Sequence, residues 1–169
     1  MIDIAAVNAL SLDDFLARFG DVAEHSPWVA AAAAARRPFA SREAMIEAFA
    51  GVVQAAPHEA GLDLIRAHPD LAGRAARAGD IAEDSRREQA GVGLDSLTEA
   101  EYARFTDLNG RYRATFGFPF IFAVKGATKA MILDAFVVRL ANDPETEFET
   151  ALAQICRIFR FRLEDRVAP

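Results

Sequence analysis

Phe116-Gly-Phe-Pro-Phe-Ile-Phe-Ala-Val-Lys-Gly126 is the stretch on which the fold class turns. Its aromatic content suits extended backbone, and it breaks the helical period of the residues on either side. Gly117, Pro119 and Gly126 argue against a central strand, because proline brings no N–H to a ladder and glycine weakens a strand interior. The stretch is expected to be a buried extended connector. Its backbone N–H and C=O groups then lack helical partners, and each needs another. A polar ligand is one candidate.

Downstream, Thr128 to about Leu140 reads as a helix with Met131, Ile132, Ala135, Phe136 and Val138 among its apolar positions. Asn142 suits its C-terminal turn. Asp143-Pro144 caps and starts the last helix, with Glu145 and Glu147 in the first turn, where acids are favoured. Phe148, Leu152, Ile155, Phe159 and Leu163 form its core stripe. At about 100° per residue, Arg162 falls roughly 40° from Phe148, inside that stripe, and Arg157 points the opposite way. An arginine there needs an anionic or carbonyl partner, since burying an unpaired charge is very costly. A ligand, an internal carboxylate and snorkelling from the helix end all satisfy that need. Cys156, at the stripe's edge, reads as a small core residue.

Upstream, Thr98-Glu-Ala-Glu101 is a capping box that starts a helix with Tyr102, Phe105, Tyr112 and Phe116 inward. Gly110 interrupts it at some cost in propensity. Nearer the N-terminus, Ser11 and Asp14 open a short helix closing at Gly20, with Phe15, Leu16 and Phe19 as its apolar stripe. Ser26 and Pro27 suit the N-cap and first position of an alanine-rich helix. His25 lies just outside it and reads as a surface or loop residue; Trp28 reads as a core anchor. Ser41 caps a further helix to about Ala56, with Met45, Phe49, Val52 and Val53 at helical spacing. Pro57 marks the break before a helix carrying Leu62, Leu64 and Ile65.

That helix runs into Arg66-Ala-His-Pro-Asp-Leu-Ala-Gly73. Pro69 disfavours the α conformation for the residue before it, so the helix should stop at about Ala67 with His68 at its C-terminal edge. The partial negative charge of a helix end favours imidazolium, and an imidazole of pKa about 6.5 is readily tipped. Asp70 and Gly73 suit a new helix start and a tight packing point. From this stretch alone His68 reads as a C-capping side chain. Further on, Ser85-Arg-Arg-Glu-Gln89 admits two readings. In one, Ser85 and Glu88 form a capping box. In the other, Asp80 and Glu83 do the capping, and Ser85, Glu88 and Gln89 share one polar face at i, i+3 and i+4. Such a face is either solvated or the wall of a polar pocket, and periodicity alone favours the solvated form.

The totals bound the rest. A chain of 169 residues, 52% apolar, suffices for one core, and without repeat or linker it reads as a single domain over 1–169. A net charge of −6 argues against nucleic acid as a partner. Cys156 alone gives no internal disulfide and fits a reducing compartment. His25, His58 and His68 show no metal-ligand spacing, so no metal site is expected. The N-terminus lacks a signal-peptide n-region, and the apolar run at 29–35 is too short to cross a bilayer. A cytoplasmic protein away from membranes is the expectation.

Five stretches in register resemble one family, 2-oxo-4-hydroxy-4-carboxy-5-ureidoimidazoline (OHCU) decarboxylase, of the urate-to-allantoin pathway. They are Glu24-His-Ser-Pro-Trp28, Arg66–Gly73, Ser85-Arg-Arg-Glu-Gln-Ala-Gly91, Phe116–Gly126 and Arg160-Phe-Arg-Leu163. The resemblance implies an all-α fold, a single-domain bundle of about eight helices with the connector near the active site. It further implies a homodimer, no cofactor, and OHCU as the small-molecule substrate. Carried over by position, His68 is the catalytic histidine and Glu88 its acidic partner. Pro69, Ser85, Gln89, Arg162 and the connector at Phe120, Ile121 and Phe122 bind substrate. His68-Pro-Asp70 also marks J-domain co-chaperones, but there it follows a basic helix. Here residues 56–65 carry Glu59 and Asp63 and no lysine or arginine. The weightier alternative is a catalytically silent helical ligand-binding protein of the same fold, against which the retained His68, Glu88 and Arg162 argue.

Overall fold

The computed structural model describes residues 1–73, 76 and 78–169 of the chain. Its described residues form nine α-helices: α1 Ile4–Ala9, α2 Leu12–Phe19, α3 Pro27–Ala34, α4 Arg42–Gln54, α5 His58–Arg66, α6 Glu83–Ala90, α7 Glu99–Phe116, α8 Lys129–Arg139 and α9 Pro144–Arg166. The fold is all-α. Its only β pairing among the described residues is an isolated parallel bridge between Ile2 and Val167. None of these helices is long and apolar enough to cross a membrane.

Most helix starts are set by residues within one turn of the cap. Ser11, Ser41, Thr98 and Thr128 each accept the N–H three residues on, at 3.1, 3.1, 3.2 and 3.2 Å. Thr98 and Glu101 complete a reciprocal box, the Glu101 carboxylate accepting Thr98 N–H at 2.8 Å. Asp143 accepts Thr146 N–H at 3.0 Å, with Pro144 at the first helical position. Two starts differ from expectation. Ser26 precedes α3 without a side-chain capping bond, so Pro27 alone marks that start. Ala82 precedes α6, also without one, and neither Ser85–Glu88 nor Asp80–Glu83 caps it. The helix start expected after Gly73 depends on residues 74, 75 and 77, which lie outside the described residues.

Backbone packing separates two compact units. The first comprises residues 1–67 and 155–169, where α2 packs on α3 and α3 on α4. Its core is aromatic: Phe15 lies 4.9 Å from Phe19 and 6.4 Å from Phe49, and Phe49 meets Phe159 edge-on at 6.2 Å. Trp28 is not part of it and is 38% exposed. The buried face of α3 is Val29, Ala30, Ala33 and Ala34, and one step of about 100° back from Val29 points position 28 away from that face.

The second unit, residues 68–154, holds α6, α7, α8, the first turns of α9 and the connector. Phe105, Tyr112, Phe120, Ile132 and Phe136 are fully buried in it. Phe120 stacks on Phe136 at 3.7 Å, and Tyr112 meets Phe120 edge-on at 5.2 Å. On α8 the inward positions are Ile132, Phe136 and Arg139; Met131 and Val138, expected among the apolar positions, are 52% and 68% exposed.

Candidate active site

α5 ends with Ala67 as its C-cap, and His68 follows directly, 6% exposed. Pro69 stops the helix here as the sequence requires. The next residues form a tight turn rather than a loose loop. Ala72 sits at φ 52°, a left-handed conformation that costs a non-glycine residue about 1–3 kcal/mol. Gly73 follows where a Cβ would lie 2.8 Å from that of Asp70, so only glycine fits without displacing the turn. Three side chains hold it. Gln89 Oε1 accepts Ala72 N–H at 2.9 Å, Asn109 Nδ2 donates to Leu71 O at 2.8 Å, and Arg113 Nε donates to Asp70 Oδ1 at 2.8 Å.

The polar face of α6 is turned inward. Ser85 and Gln89 are 6% and 5% exposed and Glu88 is half-buried, so the solvated form favoured by periodicity is overturned. The opposite face, with Glu83, Arg86, Arg87 and Ala90, lines an open depression instead. Charge there stays in water, and the neutral polar groups take the interior. The bond from Ala72 fixes the Gln89 amide, because a backbone N–H can only donate. Gln89 therefore offers its NH2 group to anything beyond the turn.

The connector 117–126 is irregular and mostly buried, with Phe120 and Ile121 inside and Phe122 half-buried. Gly117 makes the turn out of α7 at φ 76°. Two of its backbone groups find side-chain partners: Ala123 N–H donates to Gln154 Oε1 at 3.0 Å, and Ile121 O accepts from Arg139 Nη1 at 2.6 Å. Arg139 belongs to a buried cluster. Its Nε and Nη2 reach Glu147 Oε1 at 2.9 and 2.5 Å, and its guanidinium lies 4.3 Å from the Phe120 ring centre. Tyr112 O–H donates to the same Glu147 oxygen, and Asn142 Nδ2 donates to the other at 2.8 Å. Burial, reinforced by the Glu147 hydrogen bond, pushes the Tyr112 phenol far above its ordinary pKa. Glu147 is fully buried, so its place in the first turn of α9 is the lesser part of its role. Sequence reasoning missed this cluster, although an acidic helix start eight residues after an arginine was a visible clue.

Arg162 belongs to the first unit and is 2% exposed. It donates to Val22 O at 3.2 Å and lies 3.6 Å from Glu24 Oε2, itself 2% exposed. The internal carboxylate and carbonyl that an arginine on an apolar stripe demands are thus both present. Glu24 stands in the Glu24–Trp28 stretch and was passed over because its neighbours carry the capping signals; His25 beside it is exposed. Cys156 is half-buried on the same helix, and burial pushes its thiol up to about 11.

The model of the OHCU decarboxylase family matches residues 8–164. The chain belongs to that family. It is 41% identical over 165 residues to 2-oxo-4-hydroxy-4-carboxy-5-ureidoimidazoline decarboxylase of Haloferax volcanii, spanning 98% of this chain and 96% of that protein. It is 44% identical over 165 residues to the uric acid degradation bifunctional protein PucL of Bacillus subtilis, covering 98% of this chain and 32% of the larger protein. A crystal structure of (S)-allantoin synthase superposes with a TM-score of 0.80 at 30% identity, over 99% of this chain and 54% of that one. The chain thus spans about a third and about half of these two longer relatives. The matched range contains the turn at His68, the inward face of α6, the connector and Arg162. The J-domain reading of His68-Pro-Asp70 falls away.

Proposed function

We infer that this chain is a carboxy-lyase that converts OHCU to (S)-allantoin and CO2 in urate degradation. The observation that carries the reading is a buried histidine in a strained, triply held turn, within one unit that also buries Ser85 and Gln89, in a chain of the OHCU decarboxylase family.

The substrate explains how the step proceeds. Its C4 carries a carboxylate and a hydroxyl, and C5 is doubly bonded to nitrogen. When the C4–carboxylate bond breaks, its electron pair forms C4=C5 and the C=N pair moves onto nitrogen, which takes a proton. The enol hydroxyl then gives up its proton as C5 gains one, leaving C4=O and a C5–H stereocentre. Across the reaction one proton is taken up and CO2 leaves. The electron sink is the substrate's own C=N, so the protein orients, stabilises developing charge and delivers the C5 proton to one face.

In this reading His68 sits by the C4 substituents, aids CO2 loss and shuttles a proton. Glu88 engages ring or ureido N–H groups. Gln89, its carbonyl held by Ala72, donates through NH2 to a substrate oxygen, and Ser85 supplies a hydroxyl. Arg162 holds carbonyl or carboxylate oxygens through its fork of donors. Pro69 and the connector at Phe120, Ile121 and Phe122 line the ring. A single OHCU decarboxylase-like domain, acting as a cytoplasmic homodimer, completes the proposal, and light scattering of the purified protein tests the dimer.

The test is to generate OHCU freshly, add protein, and follow optically active allantoin by circular dichroism. Acceleration over the spontaneous racemic decay is expected, and its absence refutes the activity. Full activity in His68→Asn would refute the role of His68 while leaving the reaction intact.

A further inference from the structure

We propose that Asn109 of α7 is a positioning residue for His68, holding the turn His68–Gly73 in its strained form through the carbonyl of Leu71. Asparagine is a poor choice for a helix interior, and at 5% exposure this one is buried. Its Oδ1 finds no donor among the described residues, a second cost that an apolar side chain would avoid. The feature that offsets both is the 2.8 Å bond from Nδ2 to Leu71 O, which is buried as well. Leu71 immediately precedes Ala72, the residue in the left-handed conformation, and stands three positions after His68. A strained backbone persists only where its surroundings over-determine it. Here the Leu71 carbonyl is held by α7, the Ala72 N–H by Gln89 of α6, and Gly73 N–H closes onto Asp70 O at 3.3 Å.

Arg113, one turn beyond Asn109, grips Asp70 from the rim, with 46% of its side chain exposed. An exposed ion pair contributes little, so Arg113 is the minor member and Asn109 the main one. Released from Asn109, the turn relaxes toward ordinary backbone, and the ring of His68 swings with it.

This role presupposes the decarboxylase activity inferred for His68, and two readouts separate the two claims. Asn109→Asp keeps the shape but places a carboxylate against the Leu71 carbonyl; Asn109→Leu keeps the branched outline, with bulkier ends, and removes the donor. In the full chain, the ring resonance of His68, assigned by its loss in His68→Asn, is expected to move in both variants, while those of His25 and His58 stay. Since misplacement of about an ångström costs up to ~100-fold, kcat should fall by about tenfold or more with KM within about twofold. Arg113→Met should lower kcat by about threefold and move the His68 resonance less than an Asn109 variant does; should both interior variants fail to fold, Asn109→Ser, which removes the amide without adding bulk, takes their place under the same two readouts. Folded variants with an unmoved His68 resonance and kcat within about twofold of wild type overturn the proposal. A wild-type protein without decarboxylase activity overturns the functional reading instead, and the resonance then judges the clamp alone.

Discussion

Arg139→Met is the most discriminating stability test, because it strips a fully buried carboxylate of its cation. Glu147 has no exposed surface, and Arg139 gives it two hydrogen bonds at 2.9 and 2.5 Å. Removing one partner of a buried ion pair costs about 3–5 kcal/mol, because the other charge stays desolvated. Ile121 O also loses its 2.6 Å donor. The terms share one guanidinium and do not simply add, so the expected total stays near 3–5 kcal/mol. For a chain of this size that is a melting temperature about 6–20 °C lower. Glu147→Gln alone should cost a similar amount, since it strands Arg139, which is 8% exposed. The double variant removes both charges and should cost about 2 kcal/mol less than the sum of the singles. Urea unfolding followed by far-ultraviolet circular dichroism measures all four corners of the cycle. Additivity within about 0.5 kcal/mol, or a cost below about 1 kcal/mol for Arg139→Met, would refute the reasoning.

Three further outcomes follow from the same geometry. The Tyr112 phenol is held protonated in the folded chain, whereas the unfolded chain ionises it near pH 10, so its contribution is complete below that pH and is lost as pH rises above it. Tyr112→Phe should therefore flatten the alkaline fall in stability, whose limiting slope for one proton is about 1.4 kcal/mol per pH unit, and an unchanged fall in urea midpoints would contradict this. Arg162→Met should destabilise by about 3–5 kcal/mol by stranding Glu24, and Arg162→Met with Glu24→Gln should recover part of that loss in the same unfolding assay. Cys156, its thiol raised to about 11, should react with iodoacetamide at pH 8 far more slowly than a free thiol of pKa about 8.5. Equal rates would show the thiol to be accessible and ordinary.

Much of this protein was legible in its sequence because the deciding forces act over three or four residues. The caps at Ser11, Ser41, Thr98 and Thr128 satisfy N–H groups one turn away, so the pattern of letters is already the geometry. Pro69 ends α5 by removing a donor and blocking helical backbone, wherever the rest of the chain lies. Pro119 and the flanking glycines denied the connector a strand for the same local reason. The five motifs in register carried the family.

Burial and partnership were decided by tertiary structure. Periodicity gives a helix a face and not the neighbour that covers it. Ser85 and Gln89 could equally have met water, and only packing turned them inward. Trp28 is hydrophobic enough for any core, yet its place on α3 points it out. Arg162 demanded a partner, but that it is Glu24 and the Val22 carbonyl depends on residues well over a hundred positions apart meeting in space. The same holds for Asn109 and the Leu71 carbonyl, 38 positions apart. Local rules placed His68 at the end of a helix; long-range hydrogen bonds hold its turn in a shape that backbone preference alone would abandon.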